Sequence, residues 1–215
     1  MLMHFIPEAL DQYVVQHSED EPKLLQALTR ETYQKILQPR MLSGHYQGRV
    51  LSTLSKLIKP KTILELGTFT GYSALCLAEG LQKNGVLHTI DVNEELVNFQ
   101  RKYFDLSKYG SQIHQHLGPA LEIIPNLNTK FDLVFLDADK PNYINYFHEI
   151  IEKLNPGGVL LSDNVLWSGK VIEPLNENDQ STKIVLEYNQ LLKDDDRLET
   201  VLLPIRDGLT VSIKK

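Results

Sequence analysis

The chain has 215 residues, 42% of them hydrophobic, a net charge of −6 and a pI near 5.6, which fits one domain with a sizeable core, since single folds run to ~250 residues. It carries no basic block or stripe of the kind that supports nucleic-acid binding, and no apolar run approaching the ~18 residues of a membrane helix. The start, "MLMHFIPEALDQYVVQHSEDEPK", is broken by Pro7 and by acidic Glu19 to Glu21 and lacks the basic head and apolar centre of a signal peptide, so the chain reads as cytoplasmic and soluble.

Residues 1–60 read as a helical prelude, with helices over Pro7–His17, Pro22–Leu37 and Gln47–Ile58 and breaks at Pro39, Gly44 and Pro60. From residue 61 onward, apolar strand candidates at Thr62–Leu66, Val86–Ile90, Gln112–His116, Phe131–Leu136 and Val159–Leu161 are each followed by a helical stretch. Such alternation predicts an α/β fold with a parallel sheet covered by helices on both faces. Two more strands, Leu198–Leu203 and Leu209–Ile213, have only Pro204–Gly208 between them, so they read as a hairpin whose last strand runs antiparallel. No repeat, low-complexity tract or linker interrupts this order, which predicts one domain over 1–215, with 61–215 as its α/β core. The single cysteine, Cys76, falls in an apolar helical pattern and reads as buried and structural.

Ligands of open parallel sheets bind outside the carboxyl ends of the strands, where "ILELGTFTGYSAL" (63–75) turns from strand to helix. The turn lacks the GxxxxGK of a phosphate-binding loop, and Phe69 stands where a dinucleotide fingerprint needs its second glycine. What remains is Glu65, Gly67, Gly71 and Ser73: a carboxylate suited to an amine, and backbone N–H groups suited to a carboxylate. Asp91 closes the second strand, where an acid accepts hydrogen bonds from a ribose diol. An amino acid joined to a nucleoside describes S-adenosylmethionine. The plainer reading is that the glycines make a tight turn and Asp91 caps a helix over Asn93–Lys108.

The fourth and fifth strands end in "DADK" and "SDN" at the same sheet edge. Asp137, Asp163 and Asn164 offer three oxygens, the donor set of a hard cation such as Mg2+, Mn2+ or Ca2+ and not of zinc. Lys140 beside such a cation would have a lowered pKa and suit a general base. Single strand-end acids more commonly cap turns, and a lone lysine is commonly a surface one. His114 and His116 share a face, but no third ligand accompanies them, so they read as structural. "KDDDR" at 193–197 reads as a solvated turn.

Together these motifs, with "MLSGHYQGRVL" (41–51), "IDVNEE" (90–95), "FDLVFLDADKPNY" (131–143), "LNPGGVLLSDNVLWSGKV" (154–171) and "RDGLTVSIKK" (206–215), make the chain resemble the cation-dependent class I O-methyltransferases. That group contains catechol and caffeoyl-CoA O-methyltransferases and small bacterial relatives. The resemblance implies a Rossmann-like seven-stranded sheet, mostly parallel with an antiparallel last strand. It implies a cofactor site for S-adenosylmethionine lined by Met41, Ser43, Glu65, Gly67, Thr68, Phe69, Ser73, Asp91, Gly118, Ala120, Asp137 and Asp139. It further implies Asp137, Asp163 and Asn164 as cation ligands, Lys140 as catalytic base, and Lys140, Asn164 and Trp167 at the substrate. The implied substrate is a small phenol with adjacent hydroxyls, and the implied assembly is a homodimer. A coenzyme A ester would need phosphate contacts, for which the prelude offers only Lys23, Arg30, Lys35 and Arg40, mixed with Glu and Gln.

Overall fold

The computed structural model describes residues 6–215. Its prelude consists of α1 (Glu8–Gln16), α2 (Lys23–Lys35), a short 3-10 turn (Pro39–Met41) and α3 (Gly44–Ile58). The core then alternates β1 (Thr62–Leu66), α4 (Tyr72–Ala78), β2 (Val86–Asp91), α5 (Val97–Leu106), β3 (Ile113–Leu117), α6 (Ala120–Ile123), β4 (Phe131–Leu136), α7 (Tyr143–Lys153) and β5 (Leu154–Asp163). It closes with α8 (Gln180–Asp194), β6 (Leu198–Leu203) and β7 (Leu209–Lys214).

The strands form one seven-stranded sheet in the order β3-β2-β1-β4-β5-β7-β6. β7 pairs antiparallel with both β5 and β6, and the other pairs are parallel. The last strand is therefore the antiparallel one, as the short 204–208 connection requires, because a five-residue loop can only return the chain alongside itself.

Period-two alternation splits the core. Ile63, Leu133, Phe135 and Leu161 face one side with residues of α2 to α5, while Leu64, Leu66, Val134, Leu136 and Leu160 face the other with α7 and α8. A strand buried on both faces has no polar face to show, which is why these segments read as continuous apolar runs. Cys76 is fully buried in α4, as its pattern predicts. Among the described residues no helix is long and apolar enough to cross a membrane.

Three expectations shift. β5 begins five residues before Val159, and a register irregularity opposite Phe131–Leu133 takes up the Asn155–Gly158 stretch. The helix after β2 starts at Val97, after a 3-10 turn over Glu94–Leu96. Asn93 caps that 3-10 turn, its Oδ1 accepting the Glu95 N–H at 3.0 Å, while α5 itself has no side-chain cap and Asp91 caps neither. His114 and His116 flank His88 of the neighbouring strand, with His88 Nδ1 2.9 Å from His116 Nε2. Among the described residues no group of three His, Cys, Asp or Glu is arranged to hold a metal ion.

Candidate active site

A cavity of about 750 Å³ opens at the carboxyl ends of β1, β2, β4 and β5, within the size range of ligand sites. Its wall gathers Met41 and Ser43 from the prelude, and Gly67, Thr68, Phe69 and Ser73 from the β1 turn. Asp91 enters from β2, and Gly118 and Ala120 from the loop after β3. Asp137, Asp139 and Lys140 come from β4, and Asp163, Asn164 and Trp167 from β5.

The turn is shaped by the protein's own packing. A Cβ on Gly67, whose φ is +94°, would lie 1.9 Å from the Asp137 carbonyl oxygen, and one on Gly71 would lie 2.6 Å from the Phe104 ring. Only glycine lets β1 turn against the end of β4. The adjoining loops are stitched by backbone bonds from Gly67 N to Ile90 O, Asp137 N to Leu66 O and Gly118 N to Asp91 O, at 2.9 to 3.0 Å. Asp91 completes the mould: its Oδ2 accepts the N–H groups of Thr68 and Phe69 at 3.0 and 2.7 Å, and its Oδ1 that of Asn93 at 2.9 Å. With two donors Oδ2 is filled, while Oδ1, with one, keeps capacity for a further donor.

Glu65 departs from expectation, because it does not line the cavity. It is 0% exposed and lies beneath the turn, where its Oε2 accepts the Thr89 hydroxyl at 2.5 Å. The Thr68 hydroxyl lies 2.5 Å from that of Thr89, so Glu65 is linked to the turn through two hydroxyls. Its Oε1 has no partner. Burial raises its pKa to about 8, against the nearby hydroxyls of Ser73 and Thr89.

The opposite wall holds charges of both signs. Lys140 is 5% exposed, and burial lowers its pKa while the charge of Asp137 opposes the shift. Its Nζ donates to the Tyr143 hydroxyl and to the Asp163 carbonyl at 3.2 Å, and lies 3.4 Å from Asn164 Oδ1 and 4.0 Å from Asp137 Oδ1. Burial, followed by the charge of Asp163, raises the pKa of Asp137. Asn164 sits at φ +57°, in the left-handed region that asparagine tolerates better than most residues. Asp139 is engaged elsewhere, accepting from Tyr146 at 2.5 Å and Asn142 at 2.6 Å. Trp167, at φ +49°, stands 5.8 Å from Lys140 Nζ by its ring centroid, and its indole N–H is buried without a partner.

Sequence reading missed Arg206 and Asp207, which reach the cavity from the β6–β7 loop, and Gln47, which bonds Asp163 from α3. The one available signal was topological: a hairpin whose tip returns to the carboxyl edge brings its loop residues there. Of the basic prelude residues, Arg40 borders the cavity, while Lys35 pairs with Glu31 at 2.9 Å.

A family model described as O-methyltransferase matches residues 15–215. Caffeoyl-CoA O-methyltransferase of Petroselinum crispum is 34% identical, the alignment covering 95% of this chain and 90% of that one. The enzyme of the same name from Eucalyptus gunnii is 35% identical, with 95% and 86% covered. Among solved structures, the SAH-bound methyltransferase PaMTH1 of Podospora anserina superimposes with a TM-score of 0.88 at 27% identity, covering 100% of this chain and 99% of that one. The O-methyltransferase of Bacillus cereus in complex with SAH gives 0.89 at 26% identity, covering 96% and 97%. A sheet of this topology, a glycine turn of this form and these matches over nearly the whole chain have one explanation: the chain belongs to the class I O-methyltransferases of the caffeoyl-CoA O-methyltransferase type.

Proposed function

We propose that the chain transfers the methyl group of S-adenosylmethionine to one hydroxyl of a small phenol bearing adjacent hydroxyls, with a hard divalent cation (Mg2+, Mn2+ or Ca2+) as cofactor. The observation that carries the reading is the convergence of Lys140 Nζ with oxygens of Asp137, Asp163 and Asn164 on the wall opposite the glycine turn. The donor set fits such a cation: it is all oxygen, and Asp137 has its pKa raised by burial and by the charge of Asp163, a conflict that a bound cation would relieve. The turn side fits the methyl donor, with a satisfied backbone mould around Asp91 and spare acceptor capacity on its carboxylate.

When bound, the cation would supply positive charge that lowers the pKa of a chelated diol, and the sulfonium would supply the methyl group. The side chains do the rest. Asp137, Asp163 and Asn164 hold the cation. Lys140, whose burial favours the neutral amine, accepts the phenolic proton at Nζ. Asp91 binds the ribose hydroxyls, and Met41, Ser43, Thr68, Phe69, Ser73, Gly118, Ala120 and Asp139 enclose the donor. Trp167 covers the aromatic ring. Fixed geometry of this kind is worth up to ~7 to 11 kcal/mol when the reacting atoms are well aligned. The reading takes residues 1–215 as one cytoplasmic methyltransferase domain, homodimeric as the resemblance implies.

A second reading, a caffeoyl-CoA-type ester as substrate, is favoured by the names of the relatives at 34 and 35% identity. Assay of labelled S-adenosylmethionine with caffeic acid, 3,4-dihydroxybenzoic acid, a monohydroxy analogue and caffeoyl-CoA separates the two. Transfer to the free diols and not to the monophenol is expected. A large preference for the ester selects the second reading, and equal transfer to the monophenol contradicts both.

A further inference from the structure

Asp163 is held at both carboxylate oxygens. Its Oδ1 accepts the Asn164 N–H at 2.8 Å, and its Oδ2 accepts the side-chain amide of Gln47 at 2.5 Å. Gln47 is 1% exposed, so this amide has no water to fall back on. Its Oε1 accepts Arg206 Nη1 at 2.6 Å, and the same Nη1 donates to the Ser43 carbonyl. A guanidinium carries donors only, so Gln47 must turn its oxygen toward Arg206 and its NH2 toward Asp163. The orientation of the amide is thus dictated by Arg206, and the relay runs in one direction.

Arg206 reaches this position from a residue at φ +48°. The left-handed region is costly for a long side chain and free for glycine, so the loop would be more relaxed with glycine there. The strain accompanies a specific contact set, which makes it a pointer to a role.

We propose that Arg206 and Gln47 are positioning residues for the divalent cation. Through Gln47, Arg206 fixes the Asp163 carboxylate while leaving each of its oxygens a free lone pair. Through the Ser43 carbonyl it ties that carboxylate to the segment walling the cofactor side, so the cation and the cofactor strengthen each other's binding. This rests on the cation-dependent reading above.

The test is Mn2+ titration by electron paramagnetic resonance, with and without S-adenosylhomocysteine, on the full chain and on Gln47→Leu, Arg206→Gly and Arg206→Lys, each checked by thermal melting. Outer partners of metal ligands typically matter by about 10- to 100-fold in affinity, and a loss of that order is expected for Gln47→Leu and Arg206→Gly. Arg206→Gly relieves the positive φ, so its melting temperature should hold even as Mn2+ affinity falls, whereas a purely structural latch would show the reverse. Arg206→Lys, which keeps charge and donors, should restore most of the affinity. S-adenosylhomocysteine should tighten Mn2+ binding in the parent and lose that effect in Arg206→Gly. Unchanged Mn2+ affinity in both folded variants, with the parent binding, overturns the relay alone. A parent that binds no Mn2+ overturns the cation reading and the relay with it.

Discussion

On the β1–β2 side of the cavity, the Asp91 carboxylate is taken up by three backbone N–H groups and the loops are stitched by main-chain bonds. On the β4–β5 side, Lys140, Asp137, Asp163 and Asp207 crowd together, with burial pulling the lysine pKa down and those of Asp137 and Asp207 up. The first wall is a satisfied shape before anything binds. The second stores unresolved electrostatics, and groups in that condition are the ones able to move protons or hold a cation. Glu65 is the exception on the first side, a buried carboxyl with one unpartnered oxygen.

The largest effect that would break this division belongs to the charged wall. Lys140→Ala should lower turnover by about 100- to 10,000-fold, the usual span of a general base, with S-adenosylhomocysteine affinity nearly unchanged by calorimetry. A parent-like rate would remove Lys140 from the chemistry. Gly67→Ala comes next, and it joins the two walls, because the added Cβ meets the Asp137 carbonyl at 1.9 Å while φ stays positive. A loss of about 2–4 kcal/mol in urea unfolding is expected, larger than that of an alanine at an unstrained glycine.

Glu65→Gln sharpens the exception. In the unfolded chain the carboxyl ionises from its ordinary 4.5 upward, while in the fold it holds its proton to about 8, so it costs stability increasingly as pH rises between those values. The amide removes that slope. Unfolding of the unliganded variant should match the parent near pH 4 and exceed it by roughly 4–5 kcal/mol at pH 8.5, at about 1.4 kcal/mol per unit of pKa between 4.5 and about 8. Parallel curves would show that Glu65 is ionised in the fold. The smallest change is expected for Trp167→Ala, which should raise KM for an aromatic substrate by several-fold, since ring contacts are worth about 0.5–1.5 kcal/mol, and leave S-adenosylhomocysteine binding alone.

The strands were legible because burial on both faces leaves Leu133 to Leu136 and its counterparts with no polar alternation to obscure them. The acids at their ends were legible for a related reason: Asp91, Asp137 and Asp163 interrupt apolar runs where the parallel sheet must meet solvent. Element boundaries were less so. Asn93 caps a 3-10 turn ahead of α5 and α5 has no side-chain cap, while Asp91 spends its Oδ2 on the turn at Thr68 and Phe69 and its Oδ1 on the Asn93 N–H. The placement of Glu65 beneath the turn, and not on the cavity wall, could not be read from its position at a strand end. Gln47 and Arg206 were invisible, since their partners lie 116 and 159 residues away and no local periodicity encodes such a contact.

The central claim is that the charged wall works with a cation. The direct measurement is methyl transfer from labelled S-adenosylmethionine to caffeic acid by the intact chain, with Mg2+ and then with excess EDTA. Transfer that stops on chelation and returns when Mg2+ is restored is the predicted result. Transfer that continues undiminished in EDTA would contradict the assignment of Asp137, Asp163 and Asn164 as cation ligands.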